Sequence, residues 1–333
     1  MTPIEVETEN IGGKLVVSGQ VSSIPERNFV QLGITANTER LPVPLSGADV
    51  ILLSEGGQSY GYTEDPSNQG MYFLQGISGE PLKTYQIRVT TPSGEIYESA
   101  WEEMPQQAGQ VTATYEFVRE EFTDLEGIVS TEPFIKIYLN STLPAGSQTP
   151  YVKWNTIESF LLTPTDFPDP LGYVPPPCFI IQDADPQRIV LFNGEDVKAT
   201  TVENLLAVSR IVDWTFIEKH YFTTYQSSLT RDAYEYWRKV NIVANQVGSI
   251  FDTPPAEIKG NINNIKNPDE KVYGYFQATN ESFYRFYLLQ RDLGFPLLVT
   301  TCTYNNRNFQ EYPSRCLDCS SLRNSTYQRP IWF

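Results

Sequence analysis

Thiols are the most reactive side chains in this sequence. Cys316 and Cys319 enclose Leu317-Asp318 in a C-x-x-C, with Cys178 and Cys302 upstream. At this spacing a thiol pair forms a redox centre when it opens a helix behind a strand. It forms half of a zinc site when a second pair completes it. Here the neighbours are Pro313-Ser314-Arg315 and Ser320-Ser321, which are loop residues, and no second C-x-x-C is present. Cys178, Cys302, Cys316 and Cys319 are therefore read as structural disulfide cysteines that pin the tail. A metal site and a redox pair stand behind that reading as alternatives. The pairing stays open, because four cysteines can connect in more than one way.

His220 is the only histidine, so multi-histidine metal sites are excluded and a Ser-His-Asp scheme has one candidate base. It lies among Trp214, Phe216 and Phe222, and no G-x-S-x-G elbow accompanies it. A core histidine is the expectation. Paired acids could act as a glycosidase dyad, and Glu102-Glu103, Glu120-Glu121 and Asp183/Asp185 are the candidates. Adjacent acids on a strand point to opposite faces, so the doublets are expected to be solvated surface. Asp183-Ala184-Asp185 lacks the further oxygen ligands of a calcium loop. Gly12-Gly13 and Gly56-Gly57 read as turns, not phosphate cradles. No catalytic residue, cofactor or metal is assigned. The 20 tyrosines and 5 tryptophans hint weakly at a sugar- or peptide-binding surface.

The elements that must position these groups are mostly strands. At 333 residues, with 40% hydrophobic and 19% charged residues, the chain has the length of about two domains. Lys+Arg is 24 and Asp+Glu is 40, a net charge of −16, which argues against nucleic acid as a partner. No run of ~20 apolar residues could form a transmembrane helix. No signal-peptide pattern follows Met1, so either the chain is cytosolic or Met1 stands after a removed export signal.

Lys14 to Val21, Phe29 to Thr38, Ala48 to Ser54, Gly70 to Gln75, Thr84 to Thr90 and Glu95 to Ser99 read as short strands. In TYQIRVT, Tyr85, Ile87 and Val89 alternate with polar residues, the pattern of a sheet with one wet face. Pro92-Ser93-Gly94 is the turn that follows. This stretch predicts a small β-sandwich over residues 1–104. Pro105 to Gly109 is a polar boundary, and 110–333 reads as a larger β domain. Its expected strands include Val111 to Arg119, Pro133 to Asn140, Tyr151 to Thr163, Arg188 to Phe192, and a long central one from Ile211 to Gln226. One helix is predicted near 231–247, with Thr230 as N-cap, Asp232 in its first turn and Gly248 as its stop. Lys271 to Thr279 and Ser282 to Gln290 read as two further strands. The closing Trp332-Phe333 is expected to be docked.

Several stretches together resemble one family signature. They are Gly248-Ser249-Ile250-Phe251-Asp252-Thr253-Pro254-Pro255, Gly260-Asn261-Ile262, Asn267-Pro268-Asp269-Glu270 and Gly274-Tyr275-Phe276. Leu15-Val16-Val17-Ser18-Gly19, Ser46 to Val50 and the C-terminal Cys316 to Cys319 keep the same order. The signature is that of the Bacteroidota lipoprotein family known as domain of unknown function 4249. The resemblance implies an exported protein, lipid-anchored at the outer membrane through an N-terminal cysteine, exposed at the cell surface and paired with a TonB-dependent transporter. This chain has no lipobox cysteine. The family supplies no catalytic residues.

The expected fold is mainly β: an N-terminal Ig-like or transthyretin-like sandwich, then a larger β-sandwich or barrel-like domain carrying one long helix. The expected function is a non-enzymatic surface lipoprotein, an accessory or ligand-capture subunit of a TonB-dependent transporter. A cell-surface glycan or peptide hydrolase and a structural adhesin are the alternatives. Trp237, Phe251, Asp252, Pro254 and Pro255 are the expected rim for a partner or ligand, because they lie on the helix and the loop after it.

Overall fold

The computed structural model describes residues 13–36, 42–124, 126–143, 150–162, 176–186, 188–195, 201–245, 258–297, 318–322 and 324–333. The strands are β1 (Leu15–Ser22), β2 (Phe29–Ile34), β3 (Val43–Pro44), β4 (Asp49–Ser54), β5 (Ser59–Gly61), β6 (Thr63–Glu64) and β7 (Met71–Phe73). Next come β8 (Thr84–Thr90), β9 (Ile96–Ser99), β10 (Glu102–Glu103), β11 (Val111–Thr123), β12 (Val129–Thr142) and β13 (Tyr151–Leu162). After them run β14 (Cys178–Asp183), β15 (Val190–Asn193), β16 (Thr201–Ile211) and β17 (His220–Leu229). Helix α1 (Arg231–Asn245) precedes β18 (Ile262–Asn264), β19 (Tyr273–Leu288) and β20 (Ser325–Thr326). The protein is mainly β with one α-helix among the described residues.

Among the described residues the strands form three sheets. The largest has eleven strands in the order β20-β14-β13-β17-β19-β1-β2-β7-β6, with β15 beside β13 and β3 beside β2, and it curls into a half-barrel. A six-stranded sheet, β18-β9-β8-β4-β5 with β10 on β8, covers one part of it. A three-stranded sheet, β11-β12-β16, covers another. The period-two pattern of the sequence sets which side chains enter the cores. Leu15, Val17 and Val21 of β1 meet Tyr85, Ile87 and Val89 of β8 in the first core, all buried. Ile135, Ile137 and Leu139 of β12 meet Val152, Trp154 and Phe222 in the second. Met104 belongs to the first core and Ala108 to the second, so the chain crosses between them in the polar Pro105–Gly109 stretch. The first core also takes Ile262, Val272, Phe276 and Ala278, from far down the chain.

β19 joins the two cores. Its first half lies parallel to β1, from Val16 opposite Tyr273 to Ser22 opposite Thr279. Its second half lies antiparallel to β17, from Asn280 opposite Ser228 to Leu288 opposite His220. Gly274 near its start has φ +97°, and a Cβ there would sit 1.8 Å from the Val17 carbonyl oxygen. Only glycine fits that position.

Two sequence expectations change here. The two strands read at Lys271–Thr279 and Ser282–Gln290 are one continuous strand, because Asn280 and Glu281 are partnered inside the sheet. The strand read from Ile211 to Gln226 is broken by a 3-10 turn, Trp214–Phe216. Asp213 causes the break. Its Oδ1 accepts from the Thr215 amide at 3.0 Å and the Thr215 hydroxyl at 2.6 Å, giving the backbone an alternative to the ladder. The following strand, β17, lies between β13 and β19 with all ten residues buried. It is polar for a central strand, carrying Thr223, Thr224, Gln226, Ser227 and Ser228.

Helix α1 starts as its sequence dictates: Thr230 Oγ1 accepts from the Ala233 amide at 3.2 Å. Ala233 and Tyr234 pack on Tyr151, Leu229 and Tyr275, so the helix lies on the large sheet. Its expected stop, Gly248, lies outside the described residues.

Candidate functional site

Where the large sheet faces away from the two cores, its side chains line a cavity of about 460 Å³. Parity decides the lining. On β1, Val17 and Val21 point to the first core, so Ser18 and Gln20 point into the cavity. Gln31 of β2, Tyr275 and Gln277 of β19, Ser227 of β17 and Lys153 and Asn155 of β13 follow by the same rule. Trp237 of α1 closes one side. This volume lies within the range of small-molecule sites.

A buried ion pair forms the base of this site. Arg27 Nε lies 2.7 Å from Glu281 Oε2, and Arg27 Nη2 donates to Oε1 at 3.2 Å. Ser22 Oγ donates to Oε2 at 2.6 Å and Ser227 Oγ to Oε1 at 2.7 Å. The Arg27 guanidinium also stacks 3.6 Å from the centre of the Tyr225 ring. Burial pushes the Glu281 carboxyl up. The charge and hydrogen bonds of Arg27 outweigh that and hold it below the usual carboxylate range. Glu281 is thus a fixed anion with its lone pairs occupied.

From this pair a relay of amides reaches the helix. Trp237 Nε1 donates to Gln277 Oε1 at 2.8 Å, Gln277 Nε2 to Gln20 Oε1 at 3.2 Å, and Gln20 Nε2 to the Arg27 carbonyl at 3.0 Å. The indole orientation is therefore fixed by the sheet. Over its face sits Lys153 Nζ, 3.5 Å from the ring centre. Among the described residues, Lys153 has no hydrogen-bond or ion-pair partner. Its surroundings lower its pKa to about 8: burial acts first, Glu281 opposes it, and Arg27 adds to it.

That shift is a stability statement. A lysine whose folded value lies below its unfolded value near 10.5 penalises the fold wherever it is charged. The penalty is fully present below pH 8 and is relieved as pH rises from 8 to 10.5. At ~1.4 kcal/mol per pH unit this amounts to about 3 kcal/mol at most. Lys153→Met is expected to raise stability at pH 7 by up to that amount and to remove the rise between pH 8 and 10.5. Urea unfolding of both proteins at several pH values checks it, and parallel curves would refute it.

Other residues singled out by sequence lie elsewhere. Cys178 and Cys319 form a disulfide, with Cα atoms 5.9 Å apart, while Cys302 and Cys316 lie outside the described residues. Of the expected rim, Trp237 lines the cavity, and Phe251, Asp252, Pro254 and Pro255 lie outside the described residues. His220 is fully buried between the rings of Phe160 and Phe216. Its Nε2 lies 3.2 Å from Glu158, which also binds Arg210 at 2.9 Å. This is a core network. Among the described residues, no group of three or more acidic, histidine or cysteine side chains could hold a metal.

Glu102 differs from its expectation as a surface acid. It is buried and accepts hydrogen bonds from Tyr275, Thr230 and Asn261, and burial raises its pKa. Arg27, Lys153, Gln277 and Glu281 were not singled out from the sequence. The available signal was the polar alternation Ser18-x-Gln20 in an otherwise apolar strand.

Fold and site together define a class: a β-sheet protein whose curled sheet carries a polar, aromatic-sided cavity on the face left free by its cores. The chain belongs to the family described as Domain of unknown function (DUF4249), whose model matches residues 1–285. No curated protein matches it. No helix among the described residues is long and apolar enough to cross a membrane, which says nothing of β-barrels.

Proposed function

We propose that this protein captures a small ligand in the cavity between the curled sheet and α1, as a non-enzymatic accessory subunit of a TonB-dependent transporter at the outer-membrane surface. The observation that carries the capture reading is a cavity of about 460 Å³ whose polar groups are held in place by one another. Its carboxylates are engaged rather than poised. Asn155 donates to Asp183 at 3.2 Å, Arg188 pairs with Asp185 at 3.3 Å, and Glu281 is held by Arg27. A hydrolase needs a free acid and base at the reacting bond, so this arrangement favours binding over turnover. The Cys178–Cys319 bond supports an oxidising compartment outside the cytosol. The transporter partner, the lipid anchor and the surface location rest on the family resemblance.

The test is purification of the full-length protein, tagged, from native outer membranes, with the co-purifying proteins read by mass spectrometry. A TonB-dependent barrel in stoichiometric amount is expected. Recovery of the protein alone would refute the accessory role.

A further inference from the structure

The lining of the cavity carries three cations, Arg27, Lys153 and Arg188. Arg27 is paired with Glu281 and Arg188 with Asp185. Lys153 alone, among these described residues, has no anion bound to it. An ammonium held in a protein recess loses hydration, and a cation–π contact returns only part of it. A neutral side chain would fill the same place without that cost. A chain of net charge −16 has many carboxylates, yet among the described residues none contacts the Lys153 ammonium.

We propose that Lys153 is the anchor for a small organic carboxylate, which enters the cavity, accepts hydrogen bonds from Nζ and lays its body against Trp237. This deepens the capture reading and rests on it. Geometry supports each part. Nζ is at the indole face, so a carboxylate on Nζ brings the rest of the ligand beside the ring. The indole is fixed by Gln277, and Gln277 by Gln20, so the aromatic wall is already ordered before ligand arrives. Gln31 and Asn155 line the same space and can serve hydroxyl or amide groups on the ligand. The charged groups acting on Lys153 are Glu281, Arg27 and Asp183. Glu281 is bound by Arg27 and Asp183 accepts from Asn155, and among the described residues neither carboxylate contacts Nζ, which leaves the ammonium's donors open to a ligand. Filling the site with an anion draws the lysine back toward its charged form, so binding is expected to take up protons near pH 8 and to weaken above it.

The experiment is calorimetric titration of the intact protein at pH 7 with acetate, benzoate and phenyl phosphate, and with acetamide and benzamide as uncharged isosteres of the two carboxylates. Concentrations up to about 50 mM reach millimolar dissociation constants. Both carboxylates are expected to bind, benzoate more tightly, and each amide about tenfold or more weakly than its acid. Lys153→Met is expected to weaken benzoate by about tenfold to a hundredfold, and Lys153→Arg to retain it. A cooperative melt of Lys153→Met confirms that it is folded. Absence of binding by both carboxylates, or equal benzoate affinity in Lys153→Met, overturns the inference. Tighter binding of phenyl phosphate than of benzoate overturns the carboxylate assignment. If benzamide binds as well as benzoate, the anion anchor falls while capture stands. Absence of a barrel from the membrane purification refutes the transporter role without touching Lys153.

Discussion

Replacing Arg27 with Met is expected to destabilise the protein by about 3–5 kcal/mol. The Glu281 side chain is fully buried, so removal of the guanidinium leaves its carboxylate without the counter-charge that offsets its burial. The hydroxyls of Ser22 and Ser227 remain, but they cannot supply the missing charge. Glu281→Gln should cost a similar amount by leaving Arg27 uncompensated. The double variant Arg27→Met, Glu281→Gln is expected to recover most of the loss, because neutralising both members removes both desolvation penalties. Urea unfolding of the four proteins forms the cycle. If the double variant is as unstable as the sum of the singles, the pair is not the unit that matters. Location amplifies the effect. Glu281 sits where β19 passes from β1 to β17, so the ion pair holds the junction of the two cores.

The same pair sets the response to acid. Glu281 has a folded value below the usual 4.5, so its contribution is complete above pH 4.5 and is lost as pH falls through the folded value. Glu158 adds to this in the same direction. Burial raises it, but the hydrogen bond from His220 and the charge of Arg210 prevail. Glu281→Gln should therefore flatten part of the acid limb of the stability curve.

Cys178→Ser with Cys319→Ser is expected to have the second large effect. The bond spans 141 residues, and closing a loop of that length lowers the entropy of the unfolded chain by the equivalent of about 5 kcal/mol. Measured losses for native disulfides run from about 2 to 5 kcal/mol. The folded consequences are visible too. Cys319 packs with Phe160, Leu162, Cys178 and Ile180, and the bond carries the tail to where β20 pairs with β14. Phe333 then meets Phe179 and Tyr221, each at 4.9 Å between ring centres, and Arg285 lies over Trp332 at 4.2 Å. In the variant, protease cleavage of the C-terminal segment should precede global unfolding. A melting temperature and cleavage pattern equal to those of the parent would count against the bond as a structural staple.

Periodicity placed most of the strands and the helix because that signal is local. Tyr85, Ile87 and Val89 declare their face within seven residues, and Thr230 caps the residues directly after it. The docked Trp332 and Phe333 were visible for a similar reason, since bulky aromatics at a chain end need cover. The candidate site was not visible. Glu281 fell in the gap between two expected strands because a carboxylate inside a sheet is untenable without a partner, and its partner Arg27 is 254 residues away. Asp213 broke an apparent strand through a side-chain bond that hydrophobic pattern does not register. Glu102 looked like surface, and its three donors, Thr230, Asn261 and Tyr275, come from 128, 159 and 173 residues further along the chain.

The sequence by itself determined the class, mainly β with one capped helix, and the family signature. It also determined that Ser18 and Gln20 share the face opposite Val17 and Val21, since alternation is a property of neighbours along the chain. Only the tertiary structure decided that this face becomes a cavity. It brought β1, β13, β17 and β19 side by side, drew Cys178 to Cys319, and placed Lys153 against Trp237 with no anion on it among the described residues. Those relations depend on strand order, and strand order is fixed by contacts between segments that the linear pattern leaves unpaired.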